Sequence, residues 1–283
     1  MRILDPHIHM TSRTTDDYQR MAAAGVRAVV EPAFWLGQPR TNPGSFADYF
    51  DSLVGWEPFR AAQFGIRHHA TIALNPKEAN DPRCRPVLDL VPRYLDKDAV
   101  VAVGEIGYDS MTPEEDEAFT RQLAMAVEHE LPALVHTPHR DKAHGVKRTL
   151  DVVRESGIDP GRVVVDHLNE VTVAAVHDSG CWMGFSIYPD TKMSPSRMVE
   201  ILREHGLDRV LVNSAADWGR SDPLLTVRTG EAMLAAGFTD DDVDRVLWRN
   251  PVEFYGQSGR LDLSDLGDTG PLFEGSSILR GGS

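Results

Sequence analysis

Short runs rich in Val, Ile, Leu and Ala recur along the chain at 2–4, 28–31, 69–74, 100–105, 133–136, 163–166, 182–185 and 210–213. Between and after them lie longer segments whose apolar positions repeat with a helical period, near 15–24, 46–64, 86–95, 113–130, 143–155, 170–178, 196–205 and 223–236. Alternation of this kind is the mark of parallel βα units. The strand segments are apolar along most of their length, as expected when helices cover one face and a barrel core the other. Eight such units in 283 residues predict an α/β fold, a closed (β/α)8 TIM barrel of one domain, in preference to an open doubly wound sheet.

Local punctuation sharpens this outline. Thr112-Pro113-Glu114-Glu115 places a capping hydroxyl, then proline, then acids in a first turn, and so predicts a helix from Pro113. Thr239 followed by Asp240, Asp241 and Asp242 reads as a second cap in preference to a metal-binding acidic cluster. A ninth helix over 242–248 would close the barrel, with Asn250-Pro251 expected to interrupt it. Beyond Gly259 the chain is rich in Gly, Ser and Asp, so the barrel domain is expected to span 1–261 and residues 262–283 to form a loosely held tail.

Composition changes the picture in three ways. Hydrophobic residues at 41% and charged residues at 25% exclude collagen-like and wholly disordered chains, and no apolar run approaches the ~20 residues that span a bilayer. The charge balance of 29 − 43 = −14 is opposite to the basic coat that extended nucleic-acid binding needs, although a basic pocket stays compatible with it. Two isolated cysteines, Cys84 and Cys181, and an N-terminus lacking a signal-peptide core predict a cytoplasmic protein without membrane attachment. Oligomeric state is left open.

Candidate chemistry begins at Asp5-Pro6-His7-Ile8-His9, at the end of the first strand. Residues two apart in an extended segment face one side, so His7 and His9 can offer both imidazoles to one point, with Asp5 orienting a ring from behind. Barrel chemistry gathers where strands end, and four further strands end in ligand-competent residues. These are Glu105 on strand 4, His136 on strand 5, Asp166-His167 on strand 6 and Asp217 beyond strand 8. Any one could be a solvated strand end; their joint occurrence with the His-x-His pair points to a metal site.

These motifs, in this order, resemble the TatD-family metal-dependent hydrolases of the amidohydrolase superfamily. The opening DPHIH, Gly104-Glu105-Ile106-Gly107-Tyr108-Asp109, Leu131-Pro132-Ala133-Leu134-Val135-His136 and Asp217 carry the resemblance, which runs to about Leu261. The nearest branch is that of TatD-like hydrolases in bacterial natural-product and ebo-type clusters. The resemblance implies two divalent metal ions. His7 and His9 would bind one, His136 and His167 the other, Glu105 would bridge them, and Asp217 would be a ligand that also moves protons. Imidazole with carboxylate suits zinc first, then manganese or iron, with magnesium the least matched. The chemistry implied is attack by a metal-bound hydroxide on a phosphoester, ester or amide, with Glu105 and Asp217 as the catalytic carboxylates.

Departures from the family pattern bear on substrate. Where TatD nucleases carry Gly-x-His-Pro, this chain has Ala73-Leu74-Asn75-Pro76; where they carry Glu-Thr-Asp, it has Ser214-Ala215-Ala216-Asp217. The loop after strand 2 is long and aromatic, with Phe34, Trp35, Gln38, Arg40, Tyr49 and Trp56, and Trp35 could line a pocket. Arg140, Lys142, Tyr188, Lys192, Trp218 and Arg220 follow strands 5, 7 and 8 and could hold a phosphate or carboxylate against the metals. His139 is a spare ligand or shuttle candidate. A small molecule or short phosphoester is the expected substrate, a TatD-like deoxyribonuclease the alternative, and a non-catalytic binding barrel the more distant one.

Overall fold

The computed structural model describes residues 1–37, 39–264, 266 and 267. Eight strands lie in chain order in one parallel sheet: β1 (Ile3–Asp5), β2 (Val26–Pro32), β3 (Arg67–Ile72), β4 (Val100–Gly107), β5 (Ala133–His136), β6 (Val163–Val165), β7 (Trp182–Ser186) and β8 (Val210–Asn213). The barrel closes beyond the ends of β8 and β1, where Ala215 N donates to His7 O at 2.9 Å and His9 N to Ala216 O at 2.9 Å. Asp5 strengthens that seam: its carboxylate accepts from Ser214 N at 3.2 and 3.3 Å and from His7 N at 3.2 Å. The single-domain (β/α)8 expectation holds.

The α-helices are α1 (Thr15–Ala23), α2 (Pro43–Asp51), α3 (Glu57–Ala62), α4 (Pro76–Ala79), α5 (Pro92–Leu95), α6 (Pro113–Glu128), α7 (Lys142–Ser156), α8 (Val173–Ser179), α9 (Pro195–His205), α10 (Leu225–Ala235), α11 (Asp240–Asp244) and α12 (Asn250–Gly256). Thr112 and Thr239 cap α6 and α11 as their sequences predict, accepting from Glu115 N at 3.3 Å and Asp242 N at 3.2 Å. Prolines account for the differences. The helix expected over 46–64 is divided by a widened π turn, Ser52–Trp56, immediately ahead of Glu57-Pro58. A proline ring inside a regular helix clashes with the carbonyl four residues back, and the wider turn relieves this. The same device, Arg245–Arg249, precedes Pro251, so the chain does not stop at Asn250-Pro251 but continues as α12. The segment over 86–95 likewise breaks into a 3-10 turn, Arg85–Asp89, and α5, with Pro86 and Pro92 in their first turns.

Two apolar layers result. One joins the helices to the outer strand faces. The other fills the barrel with Leu4, Val30, Val101, Leu134, Val164, Trp182 and Leu211 and includes Trp248, Phe254 and Tyr255. Because α12 touches β1 and β8 and also β4 across the barrel, it plugs the end where the strands begin. Tyr255 reaches up through this core, and its hydroxyl donates to Pro6 O at 2.7 Å.

The chain after Gly259 does not leave the barrel at once. Leu261, Leu263 and Leu266 pack on the plug. His69 Nε2 donates to Asp262 O at 3.0 Å, Arg67 Nε to Ser264 O at 2.7 Å, and Gly267 N to Gly65 O at 3.2 Å. Residues 262–264, 266 and 267 are therefore held on the barrel floor. The remainder of the expected tail, 265 and 268–283, lies outside the described residues, as does Gln38.

Burial pushes the His69 imidazole down to about 4 from 6.5, so the folded protein keeps it neutral. As pH falls from about 6.5 towards 4, the unfolded chain takes up a proton that the folded chain refuses, and stability drops by at most roughly 3 kcal/mol. His69→Gln keeps a donor for Asp262 O and should flatten the pH dependence of the urea midpoint across that window. An unchanged slope would assign the acid sensitivity elsewhere.

Candidate metal centre

Every strand contributes its last residues to one mouth of the barrel. His7 Nδ1 bonds Asp166 Oδ2 at 2.6 Å, which fixes the proton there and turns Nε2 inward. That nitrogen stands 3.1 Å from His9 Nε2 and 3.5 Å from Glu105 Oε1. His9 is braced by the Phe34 ring, stacked at 3.8 Å between centroids. On the other side of Glu105, Oε1 lies 3.2 Å from His136 Nδ1 and 3.2 Å from His167 Nε2. Its second oxygen accepts from Asn75 Nδ2 at 2.8 Å. Glu105 thus belongs to two ligand-competent groups, with His7 and His9 and with His136 and His167, in each of which the donor atoms lie within 4.8 Å of one another.

Local backbone makes this convergence possible. Gly107 has φ +116°, and a Cβ there would strike the carbonyl of His136, so only glycine lets β4 and β5 approach. Gly184 on β7 leaves room for Asp166, whose Oδ1 would lie 2.5 Å from an added Cβ. His167 adopts φ +62°, a costly conformation for a side chain, and donates its N–H to Asp166 Oδ1 at 2.7 Å. That turn lets two consecutive residues, Asp166 and His167, both face the centre, which a regular strand forbids.

The charges are set by burial against mutual attraction. Burial opposes ionisation of Glu105, but the imidazoles of His7 and His136 and hydrogen bonds from His136 and His167 hold it well below the usual carboxylate range. Asp166 stays low for the same reason, through His167 and His7. Burial drives His9 and His167 down, so both are neutral and fit to donate lone pairs, whereas Glu105 and Asp166 outweigh burial at His7 and raise it. Two buried ring nitrogens, His9 Nδ1 and His136 Nε2, have no hydrogen-bond partner among the described residues. Four imidazoles around one ionised carboxylate form a donor set that suits a divalent cation of the zinc type.

The expected residues are distributed unequally around this centre. Asp5 does not orient a ring; it ties the β1–β8 seam, burial pushes it up to about 7, and Asp166 is the carboxylate on His7. Asp217 lines the cavity but stands outside the ligand-competent groups. Beyond β8 the chain turns over Ala215, φ +42°, which carries Asp217 onto the wall, where Oδ1 accepts from Gly219 N at 2.8 Å and Tyr188 OH at 3.3 Å. Tyr188 and Lys192 line the same cavity of about 170 Å³. Arg140 lines an adjoining chamber of about 620 Å³ that shares Lys77 and His139 with it. Lys142 is turned to Thr137 Oγ1 at 2.9 Å. Trp35 and Trp218 meet edge to face at 5.6 Å, Trp218 half exposed, and like the exposed Arg220 they line neither chamber. Sequence reasoning missed Asn75, Ser186 and Asn213 as supports, and Asp166 as the partner of His7. Its signal was the Asp166-His167 pair itself, of which only the histidine was assigned a role.

A family model for TatD related DNase matches residues 4–256. The chain belongs to the TatD-related DNase family. A metal-dependent hydrolase of Methanocaldococcus jannaschii is 25% identical over 255 residues, covering 89% of this chain and 99% of that protein. A TatD-like protein of Archaeoglobus fulgidus superposes with a TM-score of 0.74 at 25% identity, over 89% of this chain and 99% of that one. The Escherichia coli phosphotriesterase homology protein, solved with phosphate in its active site, shares the fold at TM-score 0.67 and 18% identity, over 90% and 98% of the two chains. Family and archaeal relative class this chain as a metal-dependent hydrolase, and Asn75, just beyond the end of β3, bonds the central Glu105.

Asp166→Asn should weaken metal binding roughly 10- to 100-fold, because an amide cannot hold the His7 tautomer as a carboxylate does. Asp5→Asn retains an acceptor for Ser214 N and should leave metal affinity nearly unchanged. Competition titrations with a chromogenic chelator compare the two; equal losses would remove Asp166 from its assigned role.

Proposed function

We propose that this chain hydrolyses an ester or phosphoester bond in a small molecule with the aid of two divalent metal ions, zinc foremost. The sharing of Glu105 by two histidine pairs carries this reading. His7, His9 and Glu105 would hold one ion, and His136, His167 and Glu105 the other. Ions so held would acidify water and polarise the electrophile. The chain supplies the rest. Asp166 and Ser186, bonded to His7 Nδ1 at 2.6 Å and His167 Nδ1 at 2.6 Å, keep both rings aimed inward. Phe34 stacks on His9 and excludes water from its outer face. Asp217 is held through Oδ1, none of the described residues bonds its Oδ2, and that oxygen is the group we assign to take and return the reaction's proton.

The net charge of −14 favours a small substrate over extended nucleic acid. Phosphodiester cleavage of DNA is the second reading, and the family match favours it. The free thiols of Cys84 and Cys181, both buried, suit a reducing compartment, and we assign the protein to the cytoplasm.

Metal analysis of purified protein combined with a panel of esters, phosphoesters and short DNA tests the proposal. Two equivalents of metal and turnover of small esters are expected; no metal and no turnover would move the chain to a non-catalytic binding barrel. Glu105→Gln should lose more metal and activity than Arg220→Ala, since Glu105 serves both ions and Arg220 is exposed. Asp217→Asn should keep most of its metal while kcat falls ~10²–10⁴-fold, with a smaller loss on an activated aryl ester whose leaving group needs no proton. An emptied site in Asp217→Asn would make Asp217 a structural ligand.

A further inference from the structure

Lys192 is the lysine of the cavity wall that no carboxylate among the described residues grips directly: burial pushes its ammonium down, and Asp166, Glu105 and Asp217 act on it from beyond 4.0 Å. It follows β7 in a tight reversal in which Lys192 N donates to Tyr188 O at 2.8 Å and Tyr188 N to Met193 O at 2.9 Å. From the outside Arg197 Nη1 donates to Lys192 O at 2.6 Å, and Arg197 is in turn gripped by both oxygens of Glu170, at 2.7 and 2.6 Å. The backbone is thus fixed on two sides and the side chain runs into the cavity beside Tyr188 and His167.

The surrounding carboxylates make their hydrogen bonds to other groups, Asp217 through Oδ1 alone. Lys77, the other lysine of this wall, is paired with Asp109 at 2.6 Å. Glu105 faces the imidazoles and Asn75, Asp166 faces His7 and Asn213, and Asp217 faces Gly219, Ser221 and Tyr188. Among the described residues no carboxylate oxygen lies within 4.0 Å of Lys192 Nζ; its near polar neighbour is His167 Nδ1 at 3.2 Å. That contact conflicts with the ring's inward task. If His167 Nε2 offers its lone pair to the centre, Nδ1 carries the proton and donates to Ser186 Oγ at 2.6 Å. An ammonium has only protons to give, so it cannot bond a protonated Nδ1 and must turn into the cavity for an acceptor. A half-buried ammonium without one is costly, and a substrate oxyanion supplies it.

We propose that Lys192 is the specificity residue that binds an oxyanion group of the substrate, phosphate or carboxylate, beside the bond to be cleaved. This rests on the metal-hydrolase reading and narrows its substrate class to anionic esters or phosphomonoesters. Of the six polar candidates beyond strands 5, 7 and 8, it is the one whose ammonium lies in the cavity beside His167 with no carboxylate oxygen within 4.0 Å.

Calorimetric titration of inorganic phosphate into metal-loaded wild type, Lys192→Met and Lys192→Arg tests this, with metal content measured on each. Wild type and Lys192→Arg should bind phosphate, while Lys192→Met keeps its metal and binds roughly 10- to 100-fold more weakly, the range of one charge-assisted contact. Two esters with the same scissile bond, one carrying a carboxylate and one neutral, should separate likewise: KM rises for the anionic ester alone. Phosphate affinity unchanged in a metal-replete Lys192→Met overturns the proposal and leaves the hydrolase reading standing. Should wild type hold no metal, that reading falls first, and the same titration on metal-free protein still decides Lys192. If Lys192→Met does not fold, phosphate should protect Lys192 of wild type from amine acylation, relative to the exposed Lys147, and absence of protection overturns the proposal.

Discussion

An ionised carboxylate buried at the mouth of a barrel is the constraint on which the rest depends. Glu105 is almost wholly removed from water, and an isolated charge there would protonate to escape the cost. It stays charged because imidazoles from β1, β5 and β6 and an amide from the β3 end converge on two oxygens. Those partners reach it only when the strands carrying them close into one ring, so barrel closure and the charge state of Glu105 are a single condition. A second buried anion, Asp166, sits within the same cluster, and two carboxylates beside the neutral rings of His9 and His167 make a setting that divalent cations suit.

The fold maintains that condition from both ends. At the top, Asp5 joins β1 to β8 by accepting backbone N–H groups where the strand ladder has ended. At the bottom, Trp248, Phe254 and Tyr255 fill the space a ring of eight short strands leaves open, and the Tyr255 hydroxyl satisfies Pro6 O just below the histidines. The plug exists because widened turns let the chain pass prolines without ending the helix. Burying these aromatics is worth several kcal/mol each by the usual cost of truncating a large core side chain. The floor of the site is therefore as firm as its walls.

Much of this was legible in the chain. The eight apolar runs and their order specify the barrel, and a histidine pair followed by ligand-competent residues at four later strand ends specifies where chemistry gathers. Strand periodicity reaches only as far as regular strand. It fails at His167, where a left-handed residue brings two neighbours to one side, and at Ala215, where another sends Asp217 past the centre to the wall. It also does not separate a ligand from the residue that orients it: Asp5 and Asp166 both stand beside a histidine in the chain, and only pairing across the barrel assigns Asp166 to His7. The departure at Ala73-Leu74-Asn75-Pro76 reads from the sequence as bearing on substrate, whereas in the fold Asn75 gives a hydrogen bond to the central carboxylate.

Net charge and local charge act over different distances here, and the difference bears on what can enter. The balance of −14 creates a field felt well beyond the surface, which opposes long polyanions whose charges must all be brought close. At 0.15 M salt that field fades over about 8 Å, while a contact inside the cavity is shielded much less. A small anion that enters the cavity meets Lys192 on the wall beside His167, in a space that Phe34 also lines.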